Sequence, residues 1–313
     1  MSPLRVERLV RAVETVEGAG FPIRRPFPTA ELPTVDPFLM LDHVGPVDWP
    51  PGAALGAPDH PHRGFETISY VLEGEKVHRD SRGGHGVLGP GDVQWMTAGA
   101  GIVHSEMPSE RFRARGGVAH GFQIWVNLPS ALKLCEPRYQ DVPRDRIPAA
   151  ATADGLVEVK VIAGEALGQS AVIDTHTPVT FLHFRLRPGG HVVQPIPTGD
   201  NACLYVLRGE ALAGDPSTPV PEGYLTLFER AAREREPGTV VIESGEAGGE
   251  CLLLAGTPLD EPIARMGPFV MNRPEEIHQA IADYQAGRMG RIPARSAAVA
   301  ARSTAPESSS TTP

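Results

Sequence analysis

From Phe65 to Gly74 the chain reads "FETISYVLEG", in which Phe65, Thr67, Ser69 and Val71 alternate with Glu66, Ile68, Tyr70 and Leu72. A period of two in a β-branched and aromatic run predicts a strand, and Gly74 ends it. Short runs of the same kind follow at Val93 to Met96, after the Pro90-Gly91-Asp92 turn, and at Ile102 to Glu106, behind a bend at Gly99 and Gly101. Strands of this length set between turns predict an all-β protein. The 34 glycines and 32 prolines suit it, being many for a helical chain. One helix is expected, in "NRPEEIHQAIADYQAG", where Pro274 suits a first turn, Glu275 and Glu276 complement the dipole, and Gly287 stops it.

The strand pattern repeats. "TISYVLEGE" (67–75) returns as "ACLYVLRGE" (202–210), 135 residues on, which predicts two copies of one barrel. The Pro-, Arg- and Ala-rich stretch 137–155 is read as the linker between a first domain, 1–136, and a second, 156–292. Residues 293–313, rich in Ser, Thr, Ala and Pro, are expected to be a disordered tail.

Charge and cysteines narrow the function classes. A net charge of −9 with no Lys/Arg-rich run argues against nucleic acid or an anionic membrane as a direct partner. No run of 18 apolar residues occurs and the start lacks an apolar signal segment, so a cytoplasmic protein is expected. Cys135, Cys203 and Cys251 are odd in number and share no CxxC spacing, and two lie in apolar runs; they read as buried thiols rather than ligands or nucleophiles.

The candidate chemistry lies in the histidines. His60 and His62 stand one residue apart at the mouth of the 65–73 strand, and residues i and i+2 of extended chain share a face. Some 40 residues later His104 and Glu106 repeat the spacing. If the two segments pair in one barrel with these faces inward, His60, His62, His104 and Glu106 surround a single point. Three neutral nitrogens and a carboxylate leave a divalent ion near +1, with coordination positions to spare. Without a thiolate the set suits iron, manganese, nickel, copper or zinc, and ligand type alone does not choose. Carrying the 135-residue offset forward puts Pro195 and Pro197 where His60 and His62 stand, so the second barrel is expected to hold no metal.

"RRPFPT", "DPFLMLDH", "HPHRGFETISYVLEGE", "HRDS", "PGDVQWMTAGAGIVHSEMP", "GFQIWVNLP" and "GPFVMNRPEEI" together resemble the successive motifs of the pirins, a branch of the cupin superfamily. The resemblance implies a bicupin fold of two β-sandwich barrels with a metal, usually iron, in the N-terminal barrel alone. Its ligand motif falls on His60, His62, His104 and Glu106. Fe(II) is the ion it favours, with Zn, Mn, Ni, Cu and Co as alternatives. In many other cupins a glutamate at the position of Glu66 ligates; in pirins the carboxylate after the third histidine takes that role, which leaves Glu66 beside the site. Pirins commonly carry Thr where Arg273 stands, so Asn272 becomes the candidate N-cap of the C-terminal helix.

Some pirins resemble flavonol dioxygenases in activity, which implies a small planar polyphenol such as quercetin and O2 as substrates. Glu106 is then the candidate catalytic base, with a purely structural ligand as the equal alternative. Phe65, Trp95, Met96 and Phe122 are expected near the pocket mouth. Of the other histidines, His43 is read as structural, His78 and His85 as surface residues, and His120 as close to the core without ligating. The rival reading is a non-enzymatic iron protein that acts through a protein partner, a transcription factor or a metabolic enzyme. The absence of a basic localisation run and an Ala-, Arg-, Pro- and Gly-heavy composition typical of a GC-rich bacterial genome weigh against a nuclear role.

Overall fold

The computed structural model describes residues 1–230 and 237–293 and is built almost wholly of strands, with short helices at Glu110–Arg115 and Pro274–Gln285. The tail expected at 293–313 lies, beyond Pro293, outside the described residues. No described helix is long and apolar enough to cross a membrane.

The first barrel is a sandwich of a seven-stranded and a four-stranded sheet. At the centre of the larger sheet Phe65–Glu73 lies between Val93–Thr97 and Gly117–Asn127, with Phe38–Trp49 beyond. The smaller sheet runs Ala57–His62, Ile102–Pro108, Lys76–Asp80, His85–Leu88. The second barrel is a ten-stranded sheet wound around one 19-residue strand, Gly238–Gly256, which pairs with Val179–Leu186, His191–Ile196 and Asn201–Ala213.

The alternation that predicts the 65–73 strand has an unusual outcome, for Phe65 through Val71 are all buried. One face, with Phe65 and Ser69, looks into the first barrel. The other, with Ile68 and Tyr70, joins an apolar core that continues into Phe181, Tyr205, Leu252 and Leu254 of the second barrel. The barrels therefore share a wall across a dry interface.

Equivalent rows meet there. His43, Phe122 and Tyr70 are register partners in the first barrel, as His183, Leu252 and Tyr205 are in the second. Each tyrosine reaches the other barrel's histidine: Tyr205 Oη lies 3.0 Å from His43 Nδ1, and Tyr70 Oη 2.8 Å from His183 Nδ1. The far nitrogens continue to His120 Nε2 at 2.7 Å and to Glu250 at 2.9 Å. His43 is thus a fully partnered structural residue. Burial, with Arg24 and His120 nearby, lowers its pKa to about 2, so it is neutral.

The chain does not divide at the expected boundaries. Ser2–Pro3 and Val6–Arg11 pair with Gly238–Gly256 and Tyr224–Phe228, which puts the N-terminal strands in the second barrel. In return the last described segment returns to the first barrel. Phe269 bridges to Arg63, and Lys133, buried, donates to the carbonyls of Gly64 and Val270. Gly64 has φ +88°, and a Cβ there would fall 2.0 Å from the Val270 carbonyl oxygen, so the close approach requires glycine. The stretch read as a linker is also built in: Arg138–Val142 pairs with Val93–Thr97, and Ala149–Ala151 with Val157–Ala163. The C-terminal helix starts at Pro274 as expected, but Asn272 does not cap it. Instead the Glu276 carboxylate accepts from the backbone N–H groups of Asn272 and Arg273, while the Asn272 side chain donates to Glu261 and Pro262.

Candidate metal centre

Ala57–His62 runs antiparallel to Ile102–Pro108, and the register sets His60 opposite His104 and His62 opposite Ile102. The side chains of His60, His62 and His104 consequently converge, with their ligand atoms all within 4.8 Å of one another. Among the described residues this is the only group of that kind. Behind it, Phe65 and Trp125 stack at 4.2 Å between centroids and press edge-on against His62, fixing its ring.

His60 Nδ1 lies 2.7 Å from the Pro58 carbonyl oxygen and donates to it, which turns Nε2 toward His62 Nε2, 3.1 Å away. His104 is buried with neither ring nitrogen hydrogen-bonded. Burial first, and then the neighbouring imidazoles, lower the pKa of His62 to about 3 and that of His104 well below the usual histidine value. Leaving both nitrogens of His104 buried and unpartnered is costly without a ligand, and with His60 and His62 beside it the cluster fits a divalent transition ion.

Glu106 is held apart from the three rings. The antiparallel register slips between His104 and Glu106, and the carboxylate lies outside the imidazole cluster. Its Oε1 accepts from Ser69 Oγ at 2.5 Å and from Lys76 Nζ at 3.1 Å. Burial opposes its charge, but the Lys76 ammonium and the Ser69 hydroxyl outweigh burial and hold the carboxyl well below the ordinary carboxylate range. It is an anion with one oxygen clamped and the other uncommitted.

Two sequence expectations change here. His78 is not on the surface: it is 2% exposed, its ring lies 5.4 Å from that of His104, and neither nitrogen is hydrogen-bonded. Lys76–Asp80 pairs with the ligand strand so that His78 faces Glu106 and Asp80 faces His104, and this register turns His78 inward. The i, i+2 run Lys76, His78, Asp80 was the available signal, and the turn-like "RDSRGGHG" after it obscured it. His85 is exposed as expected. Glu66, read as beside the site, lies on the opposite face of its strand from Ser69, buried and hydrogen-bonded by Thr97 Oγ1 at 2.7 Å.

A cavity of about 600 Å³ opens over the cluster and is bordered by His60, His62, Glu106, Lys76, Phe122 and Trp125. Of the four side chains expected at its mouth Phe122 alone borders it; Phe65, Trp95 and Met96 are buried away from it. Trp125 takes their place, and Arg265 from the returning C-terminal segment lies 4.8 Å over its ring. In the second barrel the offset sets Leu204 where Ser69 stands, and the interior is filled by Leu182, Phe184, Leu204, Val206 and Leu253. Apolar packing fills this interior, and no histidine stands at the offset positions of His60 and His62.

The family model for pirin matches residues 20–126, and that for the pirin C-terminal cupin domain matches 181–290. Human pirin is 42% identical over 293 residues, which is 92% of this chain and 95% of the human protein. A pirin-like protein of Solanum lycopersicum is 43% identical over 289 residues, covering 92% of this chain and 94% of its own. Among solved structures, a quercetin 2,3-dioxygenase from Acinetobacter baumannii superposes with a TM-score of 0.85 at 34% identity, covering 93% of this chain and 99% of that one. Both barrels, the one that carries the histidine cluster and its apolar copy, are thereby accounted for, and the chain belongs to the pirin family of two-barrel cupins.

Proposed function

We propose that the protein is a metal-dependent dioxygenase that cleaves a flavonol such as quercetin with O2. One observation carries this reading: three imidazoles converge under an open cavity large enough for a three-ring planar molecule and walled by Trp125. A divalent transition ion, Fe(II) by preference, held by His60, His62 and His104 with Glu106 in reach, would supply Lewis acidity and an electron path between flavonol and O2.

The chain's own residues do the rest. Trp125, on the face of its strand that looks into the first barrel, packs against the ring system and excludes water from it. Glu106, kept ionised by Lys76 and Ser69, is the acceptor for the proton of the flavonol 3-hydroxyl, through its uncommitted oxygen. The similarity to the Acinetobacter baumannii quercetin 2,3-dioxygenase supports this reading over that of a non-catalytic iron protein.

The test is to load the purified protein with ferrous iron without oxygen, add quercetin, admit air, and follow flavonol absorbance together with oxygen uptake. Both signals should fall together, and His104→Ala should lower the rate by at least about 100-fold with loss of bound iron. One iron per chain with quercetin unchanged would overturn the proposal.

A further inference from the structure

Lys76 is the first residue of Lys76–Asp80, directly after the turn at Gly74, and its side chain shares a face with His78 and Asp80. That row faces the His104 and Glu106 row across the register, with Lys76 at the cavity end. Its side chain is 29% exposed where that of Glu106 is 8%. Of its three donors, one is used among the described residues, on Glu106 Oε1. Ser69 Oγ holds the same oxygen. Among the described residues bordering the cavity the other Lys or Arg is Arg265, and its guanidinium is committed to the Trp125 ring and the Leu39 carbonyl.

We propose that Lys76 is a specificity-determining residue that pairs with an ionised oxygen of the substrate beside the metal centre, selecting planar enols that carry a hydroxyl next to a ketone over analogues that lack it. This rests on the flavonol reading above and names the group that recognises the reacting end of the ring. The logic is electrostatic. Glu17, Asp42, Asp59, Glu73 and Glu75 also border the cavity, and acids repel an oxyanion. An ammonium with free donors next to the imidazole cluster makes one corner of an acidic cavity attractive to it. Ser69 can retain Glu106 when the ammonium turns to the ligand.

The test uses the zinc-loaded protein under argon, so that binding is read without turnover. Quercetin and luteolin, the analogue without the 3-hydroxyl, are titrated into wild type, Lys76→Met and Lys76→Arg, following flavonoid absorption for the red-shifted band of the ionised form, with zinc per chain measured in parallel. Lys76→Met should weaken quercetin binding on the order of 10- to 100-fold and abolish the shifted band. It should leave luteolin binding within about twofold, and Lys76→Arg should restore most of the quercetin affinity. Equal quercetin binding by wild type and Lys76→Met overturns the role of Lys76 and leaves the flavonol reading standing. Parallel loss of both flavonoids, or loss of zinc, also overturns it, because Lys76 would then act through the cavity wall or the ligand set. A wild type that binds luteolin and not quercetin overturns the assignment and the flavonol reading with it, as does one that binds neither.

Discussion

Replacing Tyr205 with Phe tests whether the barrels are joined by a dry hydrogen-bonded interface. Tyr205 is fully buried, and its hydroxyl meets His43 Nδ1 at 3.0 Å. His120 Nδ1 lies 3.5 Å from Glu73, an acceptor, so the polarity along the row is set: His120 Nε2 accepts from His43 Nε2–H, and His43 Nδ1 accepts from Tyr205. Tyr205→Phe leaves that acceptor buried and unpaired, at a cost of about 1–3 kcal/mol. With an unfolding entropy of about 0.6 kcal/mol/K for a chain this long, a mid-range loss of 2 kcal/mol lowers Tm by about 3 °C. Guanidinium unfolding and calorimetry would measure it, with Tyr224→Phe as control, since that residue is half-buried and its hydroxyl has no partner among the described residues. Tyr70→Phe is expected to cost at least as much. Its partner His183 donates onward to Glu250, which burial disfavours but which His183 and Arg185 hold ionised down to about 2, and an anion at the end of the row polarises the imidazole it feeds. A Tyr205→Phe protein within 0.5 kcal/mol of wild type, with an unchanged m-value, would refute a dry interface, because water would have to replace the hydroxyl.

Glu66 supplies a pH signature. Burial raises its pKa to about 7 against a Thr97 hydrogen bond that lowers it, so the folded state holds a proton that the unfolded state has released. Its contribution is therefore present at low pH and is lost as pH rises from about 4.5 through 7, by at most about 3 kcal/mol. Glu66→Gln should flatten that slope in urea midpoints taken from pH 4.5 to 8, and parallel curves would count against the buried carboxyl. Arg63 donates to the Ala100 carbonyl at 2.7 Å and pairs with Asp283 of the C-terminal helix at 2.7 Å, mostly out of water. Arg63→Ala should cost about 3 kcal/mol and raise amide exchange across Pro274–Gln285, and unchanged protection there would show that apolar packing alone docks the helix.

The three histidines were legible because the period of a strand converts i, i+2 spacing into a shared face, and a duplicated "YVL" run fixed where the second barrel begins. The exact place of the Glu106 carboxylate was not, because a slip in register after His104 is a property of two paired strands and leaves no mark on either alone. The exchange of ends was hidden for a similar reason. "VERLVR" has one buried residue in six, and its place in the second barrel is set by main-chain pairing to Tyr224–Phe228, more than 200 residues away. The stretch at 137–155 misled through composition, since a strand edge needs backbone donors and acceptors and not apolar side chains.

The shared wall gives the second barrel a physical role. In Phe65–Glu73, Ser69 clamps Glu106 on one face while its neighbour Tyr70 bonds the second barrel's His183 on the other. A strand buried on both sides cannot turn one face without turning the next residue the opposite way. The orientation of the carboxylate beside the histidine cluster is therefore fixed in part by packing that lies wholly outside the first barrel. The same holds on Gly117–Asn127, where Trp125 presses on His62 from one face and Phe122 stacks on His43 from the other, 4.6 Å apart. The second barrel, with Leu204 in place of Ser69 and prolines in place of His60 and His62, holds from behind the two strands that shape the site.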